Sequence, residues 1–324
     1  MHLIIKPTGL CNFNCTFCSA HDLTIHHPSD GKVPEKIKNF INELKPDSLI
    51  ITGGEPLMVS PDYYYNLHEI IDCPISATTN LKDFYLHPEK WASLFKEKWF
   101  SIATSFNYGD SRRWDKNTVY DDIMFKKVME KYRQYVDDDI PIFLSVIDEN
   151  NEDRVIDHVL LAKELHTQAK LNNAISAGLQ SKTYQRYKMF QHYLKIIEMG
   201  LEDYEYYCSA RHIDECPRNI HHYCSTSIRC CYLDNHNELH IATCDEQLSF
   251  GHELPEDQII PKSKIPVPEI INPSDYITDK CPYCNLFSLC NGCRTNRDGA
   301  KQDPNYCTEM KKLEQKIIDT GWMI

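Results

Sequence analysis

Three cysteines stand within eight residues near the amino terminus, Cys11-Asn12-Phe13-Asn14-Cys15-Thr16-Phe17-Cys18, directly after a short apolar run. Thiols at this spacing converge only if the backbone loops around something, and a metal or a cluster is the usual occupant of such a loop. Three thiolates on a four-iron cluster leave one iron open to a substrate or cofactor. Zinc is the other reading; it requires a fourth ligand, and His21 is near enough to supply one.

A second crowd of thiols lies downstream. Of the 15 cysteines, 11 fall beyond residue 200. Cys281-Pro-Tyr-Cys284 and Cys290-Asn-Gly-Cys293 are CxxC pairs, with Cys307 further on, and Cys224, Cys230, Cys231 and Cys244 form a dense set upstream. Two CxxC pairs are zinc-ribbon spacing, yet eight thiols suit two four-iron clusters as well as two zincs. An odd cysteine count and a reducing interior argue against a disulfide framework. Cys73, before Pro74, reads as a small buried apolar residue.

The elements that must hold these groups alternate. His2–Lys6, Ser48–Thr52, Ile75–Thr79, Phe100–Ser105 and Ile140–Ile147 read as strands. Ile37, Phe40, Ile41 and Leu44 share one helical face, with Pro34 at the helix start. Ser60-Pro61-Asp62 resembles a second helix start, and 117–136, 152–166 and 182–199 are further helical stretches. Such alternation implies βαβ units and a parallel sheet, either doubly wound or closed into a full or partial barrel. Beyond about residue 205 the pattern weakens and prolines punctuate loops, until a last amphipathic helix with Met310, Leu313 and Ile317 on one face.

Composition limits the class. With 324 residues, 42% hydrophobic and 25% charged, the chain is globular, neither disordered nor fibrous. No apolar run approaches the roughly 20 residues of a membrane span, and the amino terminus is too short-lived in hydrophobicity for a secretory signal, so a cytoplasmic protein is expected. The net charge of -12 makes a nucleic-acid partner unlikely on electrostatic grounds. The only modestly basic stretches are 182–188 and 294–301.

The triad, with aromatic Phe17 before its last cysteine, resembles the CxxxCxxC signature of the radical S-adenosylmethionine (SAM) superfamily. Gly53-Gly54-Glu55-Pro56, after the second strand, is similar to that family's GGEP turn. The resemblance implies a partial (β/α)6 TIM-like barrel over residues 1–205. Cys11, Cys15 and Cys18 would bind a [4Fe-4S] cluster whose open iron chelates SAM, cleaved reductively to a 5′-deoxyadenosyl radical. Phe17 would lie near the adenine, the Gly53–Pro56 backbone near the methionine amino group, and Glu55 could receive that ammonium. Thr79, Asn80, Ser105 and Ser145 match positions lining the SAM pocket in the family.

The later cysteines resemble the SPASM extension of radical SAM enzymes, here over residues 206–324. By that resemblance Cys224, Cys230, Cys244 and Cys293 would ligate auxiliary cluster I, and Cys281, Cys284, Cys290 and Cys307 auxiliary cluster II. Cys230 and Cys231 are alternatives for one position. The chain departs from the family in having two residues, Asn291 and Gly292, before Cys293 instead of three. It departs again with Leu239 where a glycine is usual. Cys208 and Cys216 are candidate hydrogen-atom donors, and Asp245 a candidate proton acceptor.

The implied activity is hydrogen abstraction from a peptide or protein substrate, giving a crosslink, an oxidation or an epimerised centre. Its electrons would come from a one-electron reductant such as flavodoxin or ferredoxin. The ten residues before Cys11 leave no room there for a leader-recognition domain, which keeps a small-molecule substrate (sugar, aminocyclitol or nucleotide) as the alternative. A non-catalytic, zinc-stabilised binding protein is the third reading.

Overall fold

In the computed structural model, residues 1–210, 227–261, 276–286 and 294–321 are described. Six parallel strands follow one another in space as they do in sequence: β1 (His2–Lys6), β2 (Ser48–Ile51), β3 (Ile75–Thr79), β4 (Phe100–Ser105), β5 (Phe143–Ile147) and β6 (Ala169–Asn173). Their crossovers carry the helices α1 (Glu35–Leu44), α2 (Pro61–Ile70), α3 (Lys82–Leu86), α4 (Pro88–Phe95), α5 (Asp122–Tyr135) and α6 (Val155–Leu165), while α7 (Arg186–Glu198) and α8 (Tyr206–Ala210) follow β6. This is the partial-barrel form of an α/β fold.

Period-two alternation sorts the strand residues. Leu3, Ile5, Leu49, Ile51, Ile75 and Ala77 are buried beneath the helices. Their neighbours Ile4, Lys6, Thr52 and Thr78 line the inner cavity instead. The helix faces follow the sequence pattern: Ile37, Phe40, Ile41 and Leu44 are the buried residues of α1, and Ser60 Oγ accepts from Asp62 N at the start of α2. Met310, Leu313 and Ile317 pack the terminal helix Tyr306–Asp319 against α7.

Two differences from the sequence reading have clear causes. The helix expected from 117 starts at Asp122, because Asp121 Oδ1 accepts from Met124 N at 2.9 Å and caps it there. The strand expected from Ile140 begins only at Phe143, past Pro141, which lacks a ladder donor.

The sheet does not stop at β1. On its free edge, β7 (Ile228–Leu233) pairs in parallel, with Ile4 opposite Cys230 and Lys6 opposite Tyr232. Then β8 (Leu239–Ala242) pairs antiparallel to β7. The cysteine-rich part of the chain is thereby hydrogen-bonded to the strand that precedes the triad.

At the other edge, buried Glu205 ties β6 to α8, accepting from Leu171 N at 3.2 Å and Cys208 N at 2.7 Å. Burial pushes its carboxyl up to about 7. A carboxyl raised in the folded state favours folding below its unfolded pKa, and that contribution is lost as pH climbs through the folded one. The expected result is that Glu205→Gln loses the part of the stability change between about pH 4.5 and 7 that this group supplies. That part is on the order of 3 kcal/mol, and urea titrations of both proteins at pH 5 and pH 7 measure it.

Candidate active site

The segment from Pro7 to Leu10 carries β1 into the triad loop, and the Gly53–Pro56 turn is laid along it. Thr52 N donates to Ile5 O at 3.1 Å, Gly54 N to Thr8 O at 2.9 Å and Glu55 N to Leu10 O at 2.7 Å. Approach this close is why glycine is needed. A Cβ on Gly54 would lie 2.2 Å from Leu10 O, and Gly53 has φ +124° with a Cβ site 2.8 Å from Thr8 O.

Other elements clamp the loop. Phe13 is anchored among Trp114 and Tyr120, at centroid distances of 5.6 and 5.0 Å. Asn14 N and Thr16 N donate to Arg113 O and Ser111 O at 3.0 and 2.9 Å. Lys82 Nζ donates to Asn12 O at 3.1 Å and stands 4.8 Å above the Trp114 ring. On the far side Leu179 N donates to Cys18 O at 3.0 Å. Gly178, at φ +58°, makes that contact possible, since its Cβ would fall 2.3 Å from Cys18 O.

Cys11, Cys15 and Cys18 all face one cavity of about 500 Å³, of a size that takes a cofactor and part of a substrate. Burial pushes the Cys18 thiol up, while Lys6 and Arg112 act the other way. Thiols gathered on one cavity wall in this way lose their protons most readily to a metal. The donor set and its glycine cradle therefore fit a thiolate-bound cluster. His21, the fourth ligand of the zinc reading, turns Nδ1 to Asp22 Oδ1 at 2.9 Å and is not among the residues lining the cavity.

Phe17, Gly53, Gly54, Glu55, Asn80 and Ser105 line the same cavity. Glu55 is already engaged: Oε1 accepts from Leu57 N at 2.9 Å and Thr79 Oγ1 at 2.5 Å, and Oε2 from Asn80 N at 2.7 Å. Burial pushes its carboxyl up to about 7. Its first service is thus to tie the glycine turn to the end of β3. Asn80 passes the link on, donating to Asn12 Oδ1 at 2.9 Å.

Thr79, Pro56 and Ser145 stand behind the wall. Thr79 serves Glu55, Pro56 is buried in the turn, and Ser145 Oγ donates to Phe106 O at 2.6 Å. Arg112 is a lining residue that sequence reasoning missed. Its guanidinium lies 5.1 Å from the Phe17 ring centroid and donates from Nε and a terminal nitrogen to Asn107 Oδ1 at 3.1 and 3.0 Å. Ser111-Arg112-Arg113 carries no sequence signal that separates it from a surface loop. Lys170, Asn172 and Asn173 of β6 complete the polar wall.

The carboxy-terminal residues reach the same space. Cys244 and Asp245 line the cavity, and the Asp245 carboxylate is ion-paired with buried Lys6. On β7, Cys230 and Cys231 point to opposite faces. Cys230 packs with Ala242 and Leu248 and feels the charges of Asp245, Lys6 and Cys244. Cys231 lies in the core on the helix side, near Tyr63. Burial pushes the Cys307 thiol up, and Cys281 and Cys284 are near enough to raise it further. Cys208 is fully buried, its Sγ 3.8 Å from Tyr193 O, and is not among the cavity residues. Cys216, Cys224, Cys290 and Cys293 lie outside the described residues.

A model of the radical SAM superfamily matches residues 5–162. No curated protein matches the chain in sequence. Among solved structures the chain is similar to native anSMEcpe with bound AdoMet and Cp18Cys peptide, at TM-score 0.63 and 18% identity over 98% of both chains. It is also similar to Streptococcus suis SuiB bound to precursor peptide SuiA, at TM-score 0.58 and 15% identity over 94% of this chain and 73% of that one. For SuiB bound to S-adenosylmethionine the values are 0.60 and 14%, over 94% and 74%. At such identities these likenesses establish the fold. The three-cysteine loop and the Gly53–Pro56 turn both lie in the stretch matched by the family model, and residues 5–162 are a radical SAM domain.

Proposed function

We propose that the protein is a SPASM-type radical SAM oxidoreductase that removes a hydrogen atom from a peptide or protein substrate. One observation carries the reading: the triad and the Cys244-Asp245 pair, more than two hundred residues apart in sequence, face a single cavity. The likeness in fold to two proteins solved with peptides supports the choice of substrate. Residues 1–205 are the barrel, and 206–324 the extension that brings the auxiliary thiols to it.

When bound, the cluster and SAM supply a 5′-deoxyadenosyl radical that abstracts the substrate hydrogen. Cys11, Cys15 and Cys18 would hold that cluster, and the Phe17 ring and the backbone at Gly53 and Gly54 would border SAM. Arg112, against the Phe17 ring, extends this wall. Asp245, on the cavity wall, would take a proton from the substrate as it is oxidised. Cys224, Cys230, Cys244 and Cys293 would hold one auxiliary [4Fe-4S] cluster and Cys281, Cys284, Cys290 and Cys307 the second, giving the departing electron a path towards a flavodoxin- or ferredoxin-like partner.

Anaerobically reconstituted protein is expected to carry roughly 12 irons per chain, as three four-iron clusters require. It should form 5′-deoxyadenosine from SAM and dithionite, together with a mass change in a peptide encoded by a short reading frame beside the gene. Zinc in place of iron would sink the enzyme reading, and turnover on a sugar or nucleotide instead would sink the peptide one. The pleat of β7 favours Cys230 over Cys231 as the ligand, since Cys231 packs in the core. Cys230→Ser is expected to lose about four irons, whereas Cys231→Ser keeps them, both read by iron analysis.

A further inference from the structure

Lys6 ends β1, and its side chain is turned towards the cavity with almost no exposure, 2%. A cation withdrawn from water so completely needs compensation nearby. Among the described residues its ion-pair partner is Asp245. Two thiols lie within electrostatic reach of it: Cys230, on the strand paired beside β1, and Cys18, the last cysteine of the triad. The ion pair with Asp245 supplies that compensation and holds the ammonium at the cavity wall.

The position is defined by the backbone. Lys6 stands opposite Tyr232 in the β1–β7 register, and the ideal Cβ site of Gly53 is 3.2 Å from its own Cβ. The stem is thus pressed between the glycine turn and β7, with the ammonium beyond them at the seam between the two sets of cysteines. Nothing in the triad or GGEP pattern points to it, since a lysine at a strand end reads as a solvated residue.

A four-iron cluster gains one negative charge on reduction, and its potential follows the net charge around it. A fixed cation with little water to screen it favours the reduced form. We propose that Lys6 is a positioning residue whose buried ammonium tethers Asp245 at the cavity wall and raises the reduction potential of the auxiliary cluster whose ligands, Cys230 and Cys244, flank that pair. This rests on the auxiliary-cluster reading given above.

The test uses full-length reconstituted protein in which Cys11, Cys15 and Cys18 are alanine, so that any remaining iron is auxiliary. The midpoint potentials are followed by EPR during redox titration. Lys6→Met is expected to lower one midpoint so that the reduced-to-oxidised ratio at fixed potential falls about tenfold, which is about 59 mV for one electron. Lys6→Arg should hold the parent value, and Asp245→Asn, which leaves the cation uncompensated, should shift the same midpoint the opposite way. Potentials that stay at the parent value in iron-loaded Lys6→Met and Asp245→Asn, or that move in the same direction, overturn the role of Lys6. Should Lys6→Met fail to load iron, Asp245→Asn decides alone: a rise supports the proposal and no shift refutes it. A parent protein without auxiliary iron overturns the auxiliary-cluster reading itself, and the proposal with it.

Discussion

Simultaneous replacement of Cys11, Cys15 and Cys18 by alanine is expected to reduce 5′-deoxyadenosine formation to the enzyme-free background. Iron should fall only from roughly 12 to roughly 8 atoms per chain. The two readouts separate because the thiols are held by different parts of the molecule. The triad loop is fixed by Thr8, Leu10, Ser111, Arg113 and Leu179, whereas Cys230 is fixed by the β7–β8 pair and Cys244 follows β8, its carbonyl accepting from Leu248 N. Losing the first set of thiols leaves the second in place. The variant should also stay folded, since Phe13 keeps the loop anchored in its aromatic cluster. Continued cleavage of SAM in that variant would refute the assignment of the triad. Iron content and chromatographic measurement of 5′-deoxyadenosine are sufficient to decide.

That result would bear on the chemistry that was easiest to read. The triad and GGEP are local: each lies within a few residues of chain, and each follows a strand whose apolar alternation is plain. β1 to β5 were legible for the same reason. β6 was not, because Lys170, Asn172 and Asn173 turn polar groups into the cavity and remove the apolar alternation on which a strand reading depends. β7 was hidden differently. Its Cys230 and Cys231 draw attention as ligands, yet they are also successive strand residues, and only the pleat shows that one faces the cavity side and the other the core.

Long-range partners were the least legible part. Arg112 beside Phe17, Gly178 beneath Cys18 and Lys6 against Asp245 are all pairings across 70 residues or more, set by which strands are adjacent. The same limit applies to Ser145 and Thr79. Their place at strand ends suggested a role at the SAM pocket, whereas their hydroxyls satisfy Phe106 O and Glu55 behind the wall. A strand-end position fixes the level of a side chain along the barrel axis, and the neighbours then decide what its hydroxyl serves.

The glycine turn supplies the sharper mechanical prediction. Gly54→Ala is expected to lower SAM cleavage a hundredfold or more, the scale on which a displacement of about 1 Å acts in an active site, and to cost about 3 kcal/mol in stability. The added methyl would meet Leu10 O at 2.2 Å and Gly9 C and O at 2.6 Å. These are backbone atoms, which have no rotamer to change, so the turn must separate from the Thr8–Leu10 segment. Separation breaks the bonds from Gly54 N to Thr8 O and from Glu55 N to Leu10 O. The damage then spreads to both sides: Cys11 follows Leu10 directly, and Glu55 holds Thr79 and Asn80. Gly200→Ala is the control. It too has a positive φ, +65°, but nothing lies within 4 Å of its Cβ site. Only the backbone strain of about 1 kcal/mol is expected there, with SAM cleavage unchanged. Thermal unfolding and 5′-deoxyadenosine yield, measured on both variants, separate a contact specific to the site from the general strain of alanine at a left-handed position; equal losses in the two would show that the close approach at Gly54 has no part in holding the triad.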